Sequence, residues 1–294
     1  MNSNNQSTEH LPVLLPETVR LLAPRPGENY LDLTTGGGGH ARAIAAVVGQ
    51  QNLTLIDADP LAVSNLKQEF AAAKIYNNNF ADQLRQFKDQ GLAFDMILAD
   101  LGLSSLQLNA KDRGFSFRTD GPLDMRFDNR QGDTLADLLE RASAVELATI
   151  LKDYGQEQAA ERIAVRIKSQ RPQTTLELAR LISEVKGKHF RNRRLHPATK
   201  SFMAFRIWTN DELGQLRTLL ATAPELLQPR GRLAVISFHS LEDRLVKHAF
   251  KDLADGEYSS AYFIKNKKPI IPSTDSLAAH PQARSAKLRV LQRL

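Results

Sequence analysis

The stretch Asp32-Leu-Thr-Thr-Gly-Gly-Gly-Gly-His40 decides the fold. A short apolar run, residues 30–33, leads into the glycines, and residues 40–48 after them have the pattern of a helix. Glycine accepts a positive φ and lets the backbone approach a ligand closely, and the start of a helix offers free N–H groups. We therefore predict a ligand-binding turn at residues 36–39, between a strand and a helix.

Further strands alternate with helices outward from this turn. Residues 53–57, a weaker segment at 73–76 and residues 94–100 are runs of strand length. Asp59 and Pro60 predict a helix start after the second strand, with Asp59 as the N-cap and Pro60 at the first helical position. Alternation of this kind predicts a parallel, doubly wound sheet.

The middle of the chain has a different pattern. Between about residues 109 and 196 the sequence predicts helices and loops but no strand. Ser143-Ala-Val-Glu146 and Thr174-Thr-Leu-Glu177 have the form of capping boxes, and strand signals return at residues 232–238 and 287–294. We predict an α/β core made of residues 1–108 and 206–294. A helical insertion, residues 109–205, interrupts it, and we expect the insertion to recognise the substrate.

Two kinds of cofactor fit the glycine-rich turn. Residues 36–41 match the G-x-G-x-x-A pattern of dinucleotide-binding proteins, and Asp57, at the end of the second strand, could accept bonds from ribose hydroxyls. Asp32 would oppose a pyrophosphate but suits the amino acid end of S-adenosylmethionine. A second acidic strand end, Asp100, lies where methyltransferases place the loop that binds the methyl acceptor. These residues favour S-adenosylmethionine, with a nicotinamide or flavin dinucleotide as the alternative.

Composition narrows the chemistry further. The 294 residues include no cysteine, which excludes disulfides, thiolate metal sites and a thiol nucleophile. Methylation at ring carbon 5 of a pyrimidine ordinarily needs such a thiol, and a zinc deaminase needs cysteine ligands. We expect no metal. No apolar run approaches the ~20 residues that span a bilayer, and residues 1–10 do not resemble a signal peptide. A cytoplasmic protein without a membrane partner is the expectation.

The net charge of +6 is concentrated in one segment. Residues 186–200 contain six basic residues and no acidic one, so the rest of the chain balances to zero. The basic residues are Lys186, Lys188, Arg191, Arg193, Arg194 and Lys200. We predict that Arg191, Arg193 and Arg194 bind RNA phosphates; a solvated loop is the alternative.

Longer motifs point to one family. They are Asp100-Leu-Gly-Leu-Ser-Ser-Leu-Gln107, Arg113-Gly-Phe-Ser-Phe117, Asp120-Gly-Pro-Leu-Asp-Met-Arg126, His196-Pro-Ala-Thr-Lys-Ser-Phe202 with Arg206 and Asn210 after it, and Ile236-Ser-Phe-His-Ser-Leu-Glu-Asp-Arg244. With His10-Leu-Pro-Val-Leu-Leu15 and Pro281-Gln-Ala-Arg-Ser285, they closely resemble the bacterial ribosomal RNA small-subunit methyltransferase H family. That family methylates the 4-amino group of a cytosine in 16S rRNA at the decoding centre. The resemblance runs from about His10 to the C-terminus.

The resemblance implies a Rossmann-like class I methyltransferase core with an inserted helical domain, and S-adenosylmethionine as the cofactor. The glycine-rich turn itself predicts a cofactor contact at Gly36. The resemblance implies further cofactor contacts at Gly38, Gly39, His40, Asp57, Phe80, Asp100 and Gln107. The implied partner is 16S rRNA within the small ribosomal subunit, and a homodimer is one expectation for the oligomeric state. A dinucleotide-dependent oxidoreductase, or a ribosome assembly factor that retains a methyltransferase fold, is the alternative.

Asp100 is the predicted catalytic residue. A cytosine amine is a poor nucleophile, because its lone pair is delocalised into the ring, and the enzyme must accept the amine hydrogens as the nitrogen reacts. The alternative is that Asp100 only holds the cofactor or caps a turn. Ser104 and Ser105 are further catalytic candidates that could touch the base or the cofactor, with a plain turn as the alternative.

The remaining candidates are substrate contacts. We expect them at Arg126, His196, Arg206, Asn210 and His239. For each of them a structural ion pair or hydrogen bond is the alternative, and the two histidines are also candidate general bases. Phe115 and Phe117 could stack on a base, although packing in the core is favoured for both.

Overall fold

A computed structural model describes residues 12–187, 196–255, 261–279 and 281–294. The described residues form two compact units. The first contains the chain up to Gly102 together with Leu216–Leu294, and the second is Leu103–Gln215. The junctions therefore fall after Gly102 rather than residue 108, and before Leu216 rather than residue 206. That the second unit recognises the substrate stays a prediction.

The first unit contains a seven-stranded sheet. In chain order the strands are β1 (Tyr30–Asp32), β2 (Leu53–Asp57), β3 (Lys74–Asn77), β4 (Phe94–Asp100), β5 (Leu227–Ser237), β6 (Tyr262–Ile264) and β7 (Lys287–Arg293). Their spatial order is β3-β2-β1-β4-β5-β7-β6. All neighbouring pairs among the strands β1 to β5 are parallel, whereas β7 is antiparallel to both β5 and β6.

The helices of the two units are also numbered in chain order. They are α1 (Leu15–Leu22), α2 (Gly39–Val48), α3 (Pro60–Glu69), α4 (Phe80–Asp89), α5 (Ser105–Asn109), α6 (Leu135–Arg141), α7 (Ala144–Gly155), α8 (Ala160–Gln170), α9 (Thr175–Lys186), α10 (Thr199–Asn210), α11 (Glu212–Thr222), α12 (Ser240–Asp255) and α13 (Thr274–Ala279). No helix among the described residues is both long enough and apolar enough to cross a membrane.

The parallel part of the sheet confirms the prediction of a doubly wound fold, and the last strand corrects it. β1 lies between β2 and β4, so the chain changes direction across the sheet at β1. A ligand in an open α/β sheet binds beside the carboxyl ends of the strands at this point. The sequence predicted β7 without its direction and missed β6, because three residues of an edge strand leave little signal.

Both faces of this sheet are covered. Alternate residues of β4 belong to different apolar clusters: Met96 and Leu98 pack on one side, Ile97 and Ala99 on the other. A sheet buried on both faces needs the continuous apolar strands that the sequence contains. The sheet therefore forms a rigid layer whose carboxyl edge carries the polar residues.

The helix starts of the first unit follow the predicted local rules. The Asp59 side chain accepts a hydrogen bond from the backbone N–H of Leu61 at 3.0 Å, and Pro60 occupies the first helical position of α3. Asn79 caps α4 in the same way, accepting from the Ala81 N–H at 2.8 Å. These caps satisfy N–H groups that have no partner inside the helix.

The second unit is helical, as predicted. Among its described residues the only β-type contact is an isolated bridge between Pro122 and Thr174. Ser143 and Glu146 form the complete predicted capping box at α7. At α9 the Thr174 hydroxyl accepts from the Glu177 N–H, but the Glu177 carboxylate bonds the N–H of Gln173 instead of closing the box. The helices pack around an apolar core of their own.

Candidate active site

The glycine-rich turn leaves β1 and enters α2. Gly36 and Gly38 have φ values of +53° and +77°, which favour glycine. A Cβ on Gly38 would lie 2.9 Å from the ring of Phe70, and one on Gly39 would overlap the ring of Pro12. Side chains at these positions would force Phe70, Pro12 or the turn itself to move, so the turn can pack this closely against the two rings only because the residues are glycines.

Asp57 braces this turn from the end of β2. Its Oδ2 accepts a hydrogen bond from the Gly36 N–H at 2.6 Å, and its Oδ1 accepts one from the Asp59 N–H at 2.8 Å. A carboxylate at the end of this strand is also placed where ribose hydroxyls of a bound ligand can donate to it. The residue predicted to bind the cofactor therefore also holds the glycine turn in place.

Asp100 ends β4 beside the same turn. Its backbone N–H donates to the Thr34 hydroxyl at 2.7 Å, which ties the end of β4 to the turn. Its Oδ2 lies 3.6 Å from Nδ1 of His40. Oδ1 of Asp100 and Nε2 of His40 are both buried and have no hydrogen-bond partner among the described residues. Buried polar atoms without partners are rare, and two together indicate a site for a polar ligand.

The electrostatics of this edge favour a cationic ligand. Burial raises the pKa of Asp32 to about 7, although hydrogen bonds from the Tyr30 hydroxyl and the Thr34 N–H oppose the rise. Burial, and then the charges of Asp32 and Glu242, hold the pKa of Asp100 well above its usual range. A nearby positive charge would offset these effects and favour the ionised carboxylates.

His40 is the neutral partner of these acids. It lies in the first turn of α2 and is 6% exposed. Burial lowers its pKa to about 4, and the influence of the Val13 backbone, which raises the pKa, offsets only part of that effect. The imidazole is therefore uncharged at neutral pH and can donate or accept a hydrogen bond without adding a positive charge.

Two other predicted residues occupy this unit. Phe80 is the first residue of α4 and packs partly buried against the apolar cluster on one face of the sheet. His239 lies between β5 and α12, with Nε2 3.1 Å from Oε1 of Glu242. Glu242 also accepts hydrogen bonds from the N–H groups of Phe238 and His239, at 2.8 and 3.2 Å. The contact with Glu242 anchors His239, in agreement with the structural alternative considered for it.

Sequence reasoning missed Thr34 and Glu242. Glu242 is the third residue of α12, a position from which a carboxylate commonly reaches back to the N–H groups before a helix. That spacing is visible in the sequence. Thr34 left no such signal, because its contact is with a residue 66 positions away.

In the second unit Ser104 and Gln107 bond to each other. The Ser104 hydroxyl accepts from the Gln107 N–H at 3.2 Å, and the Gln107 side-chain oxygen accepts from the Ser104 N–H at 3.0 Å, which completes a capping box at α5. Ser105 is the first residue of α5, and its side chain lies outside the described atoms. The catalytic role of the serines and the cofactor contact of Gln107 stay predictions.

The other predicted substrate residues of this unit have partners within it. Arg126 makes two 2.8 Å hydrogen bonds to Asp124, and Arg206 makes two to Glu212, at 2.7 and 2.9 Å. Asn210 accepts from the Phe127 N–H at 2.7 Å and donates to the Met125 carbonyl at 2.8 Å.

These contacts fasten the loop around residue 126 to α10. They agree with the structural alternative considered for Arg126, Arg206 and Asn210, whose contact with substrate stays a prediction. Arg191, Arg193 and Arg194 lie outside the described residues. His196 is exposed.

A sheet whose first five strands are parallel, with a glycine-rich turn after β1 and carboxylates at the ends of β1, β2 and β4, defines a Rossmann-like ligand-binding core. Comparison with known proteins then assigns the family. The chain belongs to the MraW methylase family, whose profile matches residues 7–294.

Relatives of similar length agree with this assignment. A Ribosomal RNA small subunit methyltransferase H from a Cyanothece species is 48% identical over 290 residues, covering 97% of this chain and 95% of that protein. The protein of the same name from Trichlorobacter lovleyi is 43% identical over 307 residues, covering 97% and 98%. A solved rRNA methylase from Streptococcus thermophilus is far more distant, at 8% identity and a TM-score of 0.41, over 93% of this chain and 92% of that one. The assignment therefore rests on the sequence relatives.

Proposed function

We propose that this chain transfers a methyl group from S-adenosylmethionine to the 4-amino group of a cytosine in 16S rRNA, at the decoding centre of the small ribosomal subunit. Membership of a methylase family and the names of the relatives support the class of reaction and the class of RNA. The observation that carries the choice of an amine is the unpartnered Oδ1 of Asp100 at the end of β4. Since the substrate is ribosomal RNA, we place the reaction in the cytoplasm.

The residues at the carboxyl edge suit S-adenosylmethionine. Its sulfonium and ammonium groups supply the positive charge that Asp32 and Asp100 require for ionisation. The glycine-rich turn at Gly36–Gly39 and the carboxylate of Asp57 would hold the rest of the molecule, with His40 and Phe80 as further contacts. When bound, S-adenosylmethionine supplies an electrophilic methyl group.

Asp100 would handle the protons of the amine. The cytosine nitrogen must leave the plane of the ring to attack, and an acceptor for its hydrogens stabilises that change. A carboxylate oxygen without a partner is free to accept such a hydrogen, and it can take the proton once the nitrogen has gained its methyl group. Because burial and the neighbouring acids hold the pKa of Asp100 high, the ionised Asp100 is a stronger base than a surface carboxylate.

The composition of the chain supports attack by nitrogen rather than by ring carbon. Methylation at carbon 5 ordinarily needs a cysteine to attack the ring, and this chain contains none. Attack by the exocyclic amine needs a proton acceptor and close alignment of the reacting atoms, both of which Asp and backbone groups can supply.

Transfer of a methyl label to small subunits tests this proposal. Small subunits from cells that lack this gene are incubated with the protein and labelled S-adenosylmethionine, and the RNA is digested to nucleosides. We expect labelled N4-methylcytidine from one position of 16S rRNA. Label in 5-methylcytidine, or no label with either the subunit or the naked RNA, would contradict the proposal.

A thermal-shift comparison tests the cofactor separately. We expect S-adenosylmethionine and its demethylated product to raise the melting temperature, because a ligand that binds only the folded state stabilises it. NAD should leave it unchanged. Stabilisation by NAD alone would favour the dinucleotide alternative.

A further inference from the structure

His196 is the outermost ring of a cluster of three aromatic rings in the second unit. Its imidazole lies nearly parallel to the ring of Phe117, with centroids 4.6 Å apart and planes at 26°. Phe117 in turn meets the buried Phe202 edge to face, at 4.9 Å and 74°. His196 is exposed, whereas the two phenylalanines below it are partly or fully buried. The ring of His196 is thus supported from the core and accessible to solvent.

Hydrogen bonding fixes the orientation of this ring. Nδ1 of His196 accepts from the Ala198 N–H at 3.1 Å, in the turn that leads into α10. The neutral imidazole therefore carries its proton on Nε2. Partial burial and the charge of Lys186 lower the pKa of His196, so that the ring is uncharged at neutral pH. These contacts describe a rigid, neutral aromatic surface rather than a cation.

The chain places this surface directly after the basic segment. Arg191, Arg193 and Arg194 precede His196 by five, three and two positions, counted in the sequence. Proteins that bind single-stranded nucleic acid combine basic groups, which follow the backbone, with aromatic rings on which bases stack. We propose that His196 is a stacking site for an unpaired nucleobase of the RNA substrate, and that it acts neither as a general base nor as a phosphate contact.

This inference rests on the proposed function only in taking RNA as the ligand. The sequence left several roles for His196, namely substrate contact, general base and structural residue, and the stacking site assigns it one of them. It also makes Phe117 and Phe202 supports for that contact, since they hold the imidazole ring from beneath.

Two substitutions separate the ring of His196 from its hydrogen bond. His196→Phe keeps an aromatic ring over Phe117 but loses the acceptor for the Ala198 N–H. His196→Asn loses the ring but keeps a side-chain acceptor, because asparagine readily accepts from the backbone N–H two residues on. Each variant is the control for the other.

The probes are a short oligouridine and an abasic RNA backbone of the same length, which carry equal charge. For the wild type and His196→Phe we expect tighter binding to oligouridine than to the abasic strand. His196→Asn should weaken oligouridine binding about 5- to 100-fold, the range for loss of one base stacked on an aromatic ring, and leave abasic binding unchanged. Thermal melting of each variant verifies that it is folded.

Three results would overturn the stacking site. If His196→Asn binds normally while His196→Phe is weakened, the ring only completes the turn before α10. Equal losses on both probes would indicate a phosphate contact. A wild type that does not distinguish the two probes, or binds neither, would exclude base stacking altogether. Binding is measured without methyl transfer, so failure of the proposed reaction would appear only in the labelling experiment.

Discussion

Replacing Asp100 with Asn tests the proposed chemistry most directly. The position of residue 100 depends on its backbone, whose N–H donates to Thr34 at 2.7 Å. Oδ1 has no partner among the described residues, so the substitution removes no hydrogen bond from that oxygen. Asparagine has the same shape and lacks the charge. We expect a folded variant whose melting temperature lies within a few degrees of the wild type, the shift that about 1 kcal/mol produces in a protein of this size.

The expected effect is on the chemical step. A positioned proton acceptor contributes about 10²–10⁴ in rate, equivalent to about 2.7–5.4 kcal/mol of transition-state stabilisation. Asp100→Asn should lower the single-turnover rate at saturating S-adenosylmethionine by that factor, while cofactor affinity falls less. Asp89→Asn, which removes an exposed carboxylate at the end of α4, is the matched control and should react normally.

The pH profile provides a second readout for Asp100. Its raised pKa means that the ionised acceptor becomes more abundant as the pH rises. At subsaturating S-adenosylmethionine, where the rate reports the protein without cofactor, the wild-type rate should therefore increase with pH, and the rate of Asp100→Asn should not. A near-normal single-turnover rate for the variant, with only the cofactor affinity reduced, would refute the catalytic role and leave Asp100 as a cofactor contact.

Three further predictions concern the cofactor, the RNA and stability. Asp57→Ala should weaken S-adenosylmethionine binding about ten- to hundredfold, for loss of about 1.5–3 kcal/mol at a charged hydrogen-bond acceptor; unchanged affinity in calorimetry would remove Asp57 from the site. Replacing Arg191, Arg193 and Arg194 with Ala should raise the Michaelis constant for RNA and reduce the salt slope of binding by about 0.7–0.9 per lost phosphate contact, without affecting cofactor affinity; an unaltered slope would mean a solvated loop. Asp32 has a folded pKa of about 7 against about 3.9 unfolded, so the folded state binds more protons between those values and its stability falls as pH rises through them. Asp32→Asn removes this effect. The melting temperature of the variant minus that of the wild type should therefore increase between about pH 5 and pH 8, and a difference that stays constant would contradict the raised pKa.

The sequence by itself determined the features that depend on near neighbours in the chain. The bounds of β4 and the turn at Gly36–Gly39 follow from the local sequence pattern, and the Asp59 cap and the Ser143 capping box from contacts within a few residues. Local conformational preference and the alternation of strands with helices are sufficient to predict them. The motifs also identified the family, and with it the expected chemistry.

The tertiary structure alone decided which polar groups are available for chemistry. Asn210 and Phe127 are 83 residues apart, and their hydrogen bond gives a predicted substrate residue a structural partner. Thr34 and Asp100 meet across 66 residues, and the raised pKa of Asp100 depends on burial between strands that the fold brings together. The direction of β7 was settled in the same way, by its pairing with β5. Such properties depend on distances between residues remote in the chain, because desolvation and Coulomb energy are set by position in space and not by position in sequence.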